Sequence, residues 1–395
     1  MTNEATSFER LLEPVALERF FADYFERKPL VLHRAEPAFY DGLVTIDDIE
    51  HYVATATPKH SHVFLVNADE PVQREAYVSP EGVVDPARLF RLHAEGATIV
   101  LTQMQTRFAG LAELCRAAER RVSHRFQANL YLSPPSAQGF RTHYDSHDVF
   151  VLQVAGSKHW TLYDTVIELP LMGQKFDRDT HVVGAPSASF TLSAGDLLYC
   201  PRGLAHDARS TNEASLHVTF GLVAKTWADL FVEAVSAAAL ADPEFRRSLP
   251  VGFARPDFDS RQAEATFRAL MERFAAGAAL EPLLDEFRRN FVIGRSAGLE
   301  GQMRLVRAAD ALTVNSVVGA RPNLIYLVER DADAVHLVWR STRLSFPAFV
   351  HEPLAFALER ERFAVAELPG ALDEAGKLVL VRRLVREGLL RIHGN

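Results

Sequence analysis

The spacing of apolar and polar positions changes along this chain, and each change predicts a different kind of element. Near the start, LEPVALERFFADYF sets Val15, Leu17, Phe20, Phe21 and Phe25 close to one face of a helix, ahead of an extended ERKPLVLHR. From about Gly96 to Ala224 the period shortens. ATIVLTQM, QANLYLSP, DVFVLQV, HWTLYD, SFTLSAG, DLLYCP and SLHVTFGL are short apolar-alternating runs divided by Gly, Pro, Ser and Asn. Many short strands so divided predict a sandwich or a barrel.

Beyond Thr226 the period becomes helical. Thr226 and Asp229 have capping-box spacing ahead of LFVEAVSAAALA. Phe267, Leu270, Met271 and Phe274 then mark one amphipathic helix, and Leu280, Leu283, Leu284, Phe287 and Phe291 another. From about Pro322 a strand-like VHLVW, a helix after Pro353, a helix through LVLVRRLVRE stopped by Gly388, and a terminal LLRI follow in the order of a winged-helix-like module. The expected blocks are therefore a strand-rich 1–224 with its helical and extended lead-in, a helical 225–321, and a winged-helix-like 322–395.

Composition changes this picture little. The chain is 395 residues long with 48% hydrophobic and 24% charged residues, the balance of a globular protein. A net charge of -8 gives no electrostatic case for nucleic-acid binding. Cys115 and Cys200 cannot make a disulfide framework, and Cys200, beside Pro201 in an apolar run, reads as core. The acidic N-terminus lacks the pattern of a signal peptide, and no apolar run reaches membrane-spanning length, so a cytoplasmic location is expected.

Chemistry enters with GFRTHYDSHDVFVLQVAGSKHW. His143 and Asp145 stand two apart, and along a strand such residues share a face, so both can bind one ion. A third ligand is available in His206, presented after the Pro-Arg-Gly that ends a strand, with His217 in SLHVTF as its rival. Two histidines and a carboxylate make the facial triad, which leaves metal positions open for cosubstrate and oxygen. His147 continues the alternation and faces substrate or has no ligand role, while His159 and His181 read as surface residues.

NLYLSPPSAQGFRTHYDSHDVFVLQVAGSKHW, GDLLYCPRGLAH and LHVTFGL together resemble the JmjC-type ribosomal oxygenases of the cupin superfamily, and YFERKPLVLHR extends the likeness more loosely. The resemblance implies a double-stranded β-helix, or cupin jelly roll, followed by a helical dimerisation domain and a winged helix. It implies His143, Asp145 and His206 as iron(II) ligands, the last in preference to His217, and Lys158 as partner of the distal carboxylate of 2-oxoglutarate. Asn129, Tyr131 and Thr219 match positions that line the cosubstrate pocket. A buried dianion needs such a cation, because an unpaired carboxylate in a closed barrel is strongly disfavoured. With oxygen as co-reactant and the hard chemistry supplied by the cofactor, no acid or base residue beyond the ligands is required.

The implied substrate is a histidine or arginine of a ribosomal protein, and the implied assembly a homodimer. Oxidation of a natural-product peptide or amino acid is an alternative. A further one is a non-enzymatic module whose winged helix contacts nucleic acid. Against that, Arg382, Arg383, Arg386 and Arg391 are offset by Glu352, Glu359, Glu361, Glu367, Asp373, Glu374 and Glu387.

Overall fold

The computed structural model describes residues 7–393, so the first six residues of the acidic N-terminus lie outside it. Its contacts divide the chain into two compact units. One takes the described residues up to 224, then 297–324 and from 352 onwards; the other takes 225–296 and 325–351. The packing thus interleaves segments that the sequence lays out as consecutive blocks.

The first unit opens with α1 (Phe8–Leu12) and α2 (Leu17–Asp23). Only α2 lies within the predicted helical run LEPVALERFFADYF; α1 precedes it and ends at the run's first residue. Pro14 separates the two helices, because proline has no N–H to donate and disfavours helical backbone in the residue before it. Further helices are α3 (Ile46–Thr55), α4 (Pro86–Ala94) and α5 (Ala109–Val122). The strands are β1 (Leu30–Leu32), β2 (Val63–Val66), β3 (Thr98–Leu101), β4 (Arg125–Ser133), β5 (Asp148–Ala155), β6 (Ser157–Thr165), β7 (Ala188–Ser193), β8 (Leu197–Cys200), β9 (Leu204–Ser210) and β10 (Ser215–Val223). A seven-stranded antiparallel sheet runs in the order β1-β8-β5-β10-β4-β3-β2, and a smaller one in the order β7-β6-β9. These are the two sheets of the barrel that the strand pattern predicts.

Alternation along the strands gives the large sheet two different faces. Ala128, Leu130, Leu132, Phe150, Leu152, Tyr199, Leu216, Val218 and Phe220 turn outward into a core shared with α1, α2 and α5. There Phe8 packs edge-on against Phe126 and Phe150, and Phe20 against Tyr199. The inner face meets the small sheet through Val149, Val151, Leu198 and Cys200 against Trp160, Leu162 and Leu192. Near them on the inner face the side chains become polar.

In the second unit, α6 (Trp227–Ala241) starts on the predicted capping box, with the Thr226 side chain accepting from Asp229 N–H and the Asp229 carboxylate accepting from Thr226 N–H. It is followed by α7 (Arg261–Gly277) and α8 (Leu280–Ile293). β12 (Tyr326–Arg330), β13 (Ala334–Trp339) and β14 (Thr342–Pro347) make a meander, and Ile325 and Val338 pack on Val292 of α8. That apolar contact is why 325–351 joins the helices. Back in the first unit lie α9 (Gln302–Ala308), β11 (Val317–Ala320), α10 (His351–Glu359), which begins at the unit boundary, β15 (Phe363–Ala364), α11 (Glu374–Arg386) and β16 (Leu390–Ile392), with a sheet ordered β15-β11-β16. Among the described residues no helix is long and apolar enough to cross a membrane.

Candidate metal centre

Three ligand atoms, one each from His143, Asp145 and His206, lie within 4.8 Å of one another. His206 Nε2 stands 3.6 Å from an Asp145 carboxylate oxygen. The two histidines are locked by main chain. His143 N–H donates to the His206 carbonyl at 3.1 Å and His206 N–H to the His143 carbonyl at 2.8 Å. This narrow pair is an isolated bridge, so His143 and Asp145 do not lie on a regular strand as their spacing implies; they precede β5, and the bridge to β9 gives the local extended geometry.

The Pro-Arg-Gly turn explains how Asp145 is held. Gly203 N–H donates to the Asp145 carbonyl at 3.0 Å, with Gly203 at φ +88°. A Cβ there would sit 1.9 Å from the Ile167 carbonyl oxygen, so glycine is required both for the backbone angle and for space. Arg202 anchors the same turn, donating at 2.7 Å to the fully buried Asp148 and pairing with Glu26 at 2.6 Å.

The donor set fits a metal. His143 Nδ1 lies 2.9 Å from the Arg141 carbonyl and His206 Nδ1 3.0 Å from that of Leu204. A carbonyl only accepts, so each Nδ1 carries the proton and each Nε2 keeps a free lone pair. Burial, then the neighbouring His143, lowers the pKa of His206 and favours the neutral ligand form. Burial disfavours the Asp145 carboxylate, but His143, His206 and His147 outweigh it and hold its pKa below the ordinary value.

The polar inner face continues from the triad. Asn129, Tyr131 and Ser133 alternate along β4 and pair in register with Thr219, His217 and Ser215 of β10. His217 does not join the ligand cluster; its ring stacks on Tyr131 at 4.7 Å and meets Trp160 edge-on at 5.6 Å. Lys158, on β6 and 3% exposed, donates to Ser133 Oγ at 2.9 Å, and that hydroxyl contacts Thr98 Oγ1 at 2.9 Å. Burial pushes the lysine down to about 7. It also lowers His217 strongly, with Lys158 and His206 adding to the effect, so the imidazole there is neutral. Burial, then Asp145, raises the Tyr131 hydroxyl, against a hydrogen bond with Thr219. Asn129 Oδ1 accepts from Gln103 N–H at 2.9 Å.

Trp160 Nε1 and His217 Nδ1 are buried without a hydrogen-bond partner among the described residues. Together with the Lys158 ammonium, which has no carboxylate partner among the described residues, they fit an anionic molecule with oxygen acceptors. Sequence reasoning missed Ser133, Trp160 and His217 as lining groups, although strand alternation from Asn129, Lys158 and Thr219 points to each. His147 packs its ring against Gly221, where a Cβ would lie 2.7 Å away. His159 is exposed, whereas His181 is half-buried against Tyr144 and Phe176, not a free surface residue.

Residues 102–230 match the family model of the JmjC domain. Over 303 residues the chain is 30% identical to the bifunctional lysine-specific demethylase and histidyl-hydroxylase NO66 of Aedes aegypti, which spans 72% of this chain and 47% of that protein. The chain thus spans about half the length of this relative. The X-ray structure of Escherichia coli ycfD superposes with a TM-score of 0.57 at 16% identity, over 96% of this chain and 99% of that one. A structure of the ribosomal oxygenase YcfD from Escherichia coli with cobalt and 2-oxoglutarate gives 0.54 at 14% identity, over 96% and 99%. At such identities these structures establish the fold.

Proposed function

We propose that this chain, which carries a JmjC domain across residues 102–230, is an iron(II)- and 2-oxoglutarate-dependent oxygenase that hydroxylates a protein side chain, a histidine or arginine of a ribosomal protein. The observation that carries the reading is one barrel interior holding both a His143–Asp145–His206 cluster and a buried lysine that has no carboxylate partner among the described residues. The relatives support it: one is named a bifunctional lysine-specific demethylase and histidyl-hydroxylase, and the structure of a ribosomal oxygenase of the same fold is a complex with cobalt and 2-oxoglutarate.

His143, Asp145 and His206 would hold iron(II), and Lys158 would receive the distal carboxylate of 2-oxoglutarate, with Tyr131, Asn129 and Thr219 lining the cosubstrate. When bound, iron(II) and 2-oxoglutarate supply the activation of oxygen, the cosubstrate leaving as succinate and carbon dioxide. The protein contributes position and dryness. Ser133 holds the lysine amine in place, the Tyr131 and His217 rings wall the space between Lys158 and the triad, and the apolar layer of Val149, Val151 and Leu162 keeps water from the inner wall. The neutral state of His217 makes it a hydrogen-bonding wall and not a competing cation.

We read the protein as a cytoplasmic homodimer. Trp227, Phe231, Val232 and Val235 stand exposed on α6, an apolar face that a second copy would cover. We read the C-terminal helices and small sheet as a winged-helix-like scaffold without direct nucleic-acid contact. Arg382 donates to the Asp310 and Leu312 carbonyls, Arg383 pairs with Glu387 and Arg386 with Asp310, so these cations are already engaged. The test is succinate release from 2-oxoglutarate by iron-loaded protein in air, with and without ribosomal extract, alongside mass spectrometry of the ribosomal proteins. Extract-stimulated succinate with a +16 Da histidine or arginine is expected; absence of both refutes the reading.

A further inference from the structure

Away from the metal centre, and sharing no residue with it, a cleft of about 1110 Å³ opens within the first compact unit. Arg10, Arg34, Arg116, Arg120, Arg321 and Arg391 all line it. Two of these are nearly inaccessible, Arg116 at 7% exposure and Arg321 at 5%. Arginine at such depth is rare unless it is paired. Yet among the described residues Arg116, Arg321 and Arg391 have no carboxylate within ion-pair distance, and the Arg116 guanidinium has no hydrogen-bond partner.

The local structure brings these charges together. Arg116, on α5, lies against Gly298, where a Cβ would be 2.7 Å from Arg116 Nη2. The carbonyl of the same Gly298 accepts from Arg321 Nη1 at 2.9 Å, and Gln302 Oε1 accepts from Arg321 Nη2 at 2.6 Å. Arg321 is thus held by neutral acceptors, which fix its geometry without neutralising it. Its Nε and that of Arg391 are buried without hydrogen-bond partners among the described residues. Burial lowers the Arg321 pKa, and Arg391 and Arg116 lower it further, against Glu300. Unpaired buried like charges are costly, and the charge that would relieve them is an anion entering the cleft.

The chemistry selects among anions. Guanidinium forks reaching in from separate elements suit a tetrahedral oxyanion, whose oxygens face several directions; a carboxylate offers two oxygens in one plane. Glu13, Glu36, Glu113, Glu300 and Glu361 also line the cleft and would repel an extended polyanion, while a compact one can reach the recessed guanidinia. We propose that this cleft is a binding site for a compact phosphate-bearing small molecule, held by Arg116, Arg321 and Arg391. The inference does not depend on the oxygenase reading.

The experiment is isothermal titration of the full chain with inorganic pyrophosphate at fixed ionic strength, on the wild type, Arg116→Gln, Arg391→Gln and Lys158→Ala, with thermal unfolding to verify that each is folded. Saturable binding by the wild type and by Lys158→Ala, weakened roughly tenfold or more in both glutamine variants, is expected from the loss of a charge-assisted pair. No binding by the wild type at millimolar pyrophosphate, or equal binding by the glutamine variants, would overturn the proposal. So would loss of binding in Lys158→Ala, which would put the anion in the barrel. A short uridine oligonucleotide or a glutamate-rich peptide that bound more tightly than pyrophosphate, and depended on Arg116, would equally overturn the small-molecule assignment.

Discussion

Lys158 gives the sharpest quantitative expectation. The residue is 3% exposed, and its amine donates to Ser133 Oγ and titrates near 7 instead of 10.5 because burial disfavours the ammonium. At about 1.4 kcal/mol per pKa unit, that depression corresponds to a cost of about 5 kcal/mol for holding the charge in the barrel before any anion arrives. A carboxylate bound beside it offsets that cost, so 2-oxoglutarate should bind with uptake of a proton whenever the pH is above about 7. The sign follows directly. Below 7 the lysine is already charged and affinity should be flat; above 7 the dissociation constant should rise about tenfold per pH unit. A charge-assisted hydrogen bond contributes roughly 1.5–3 kcal/mol, so Lys158→Ala should weaken 2-oxoglutarate by about tenfold to a hundredfold at pH 7 and remove the pH dependence. Lys158→Arg should keep partial activity, its fork being bulkier than the space shaped around a lysine. The assay is a 2-oxoglutarate titration of succinate release between pH 6 and 9, with iron content measured in parallel, since iron should be retained throughout. An affinity independent of pH in the wild type, or an unchanged titration for Lys158→Ala, would refute the reasoning and leave the lysine a structural residue.

The same buried charge should destabilise the metal- and cosubstrate-free protein. Lys158→Met should raise its unfolding free energy in urea, by at most about 5 kcal/mol below pH 7, with the gain fading between about 7 and 10.5 as the wild-type lysine loses its proton in both states. His206→Ala should lose metal stoichiometrically, whereas His217→Ala should keep the metal and much of the activity; elemental analysis of the purified variants decides, and metal loss in His217→Ala would move the ligand. Gly203→Ala places a Cβ 1.9 Å from the Ile167 carbonyl oxygen at a positive φ, so a loss of several kcal/mol in stability or of iron affinity is expected in chemical denaturation and metal titration. Phe150→Ala opens the aromatic cluster on the outer face and should cost roughly 3–5 kcal/mol, read from the same denaturation curves.

The strands were legible because their alternation is regular: ATIVLTQM, QANLYLSP, DVFVLQV and SLHVTFGL correspond to β3, β4, β5 and β10. The residues of the triad could be read as well, since a His-x-Asp followed by a histidine after Pro-Arg-Gly is a local pattern. What holds them could not. β9, in the run LAHDARS, has too weak an alternation to announce a strand, and its bridge to His143 is a contact between main-chain atoms that no side-chain pattern encodes. β2, the run VFLV, is not among the runs read from the sequence either. Nor does periodicity reveal the arginine cleft, because Arg116, Arg321 and Arg391 come together only through tertiary folding. The grouping of 325–351 with the helices is invisible for the same reason: it rests on Ile325 and Val338 finding Val292.

The two-faced large sheet has a consequence for how such a protein can diverge. Between Ala128 and Ser133 of β4 and between Leu216 and Phe220 of β10, residues of the hydrocarbon core alternate with residues of the chemical chamber. A point substitution at Asn129, Tyr131, Ser133, His217 or Thr219 can therefore retune what the chamber accepts while the set that holds the fold, Ala128, Leu130, Leu132, Val218 and Phe220, is inherited untouched. A one-residue insertion or deletion in either strand has no such freedom, since it exchanges the two sets at once. Lineages of this architecture should accordingly drift in specificity by substitution and keep their strand lengths, with length variation confined to the loops at the barrel rim.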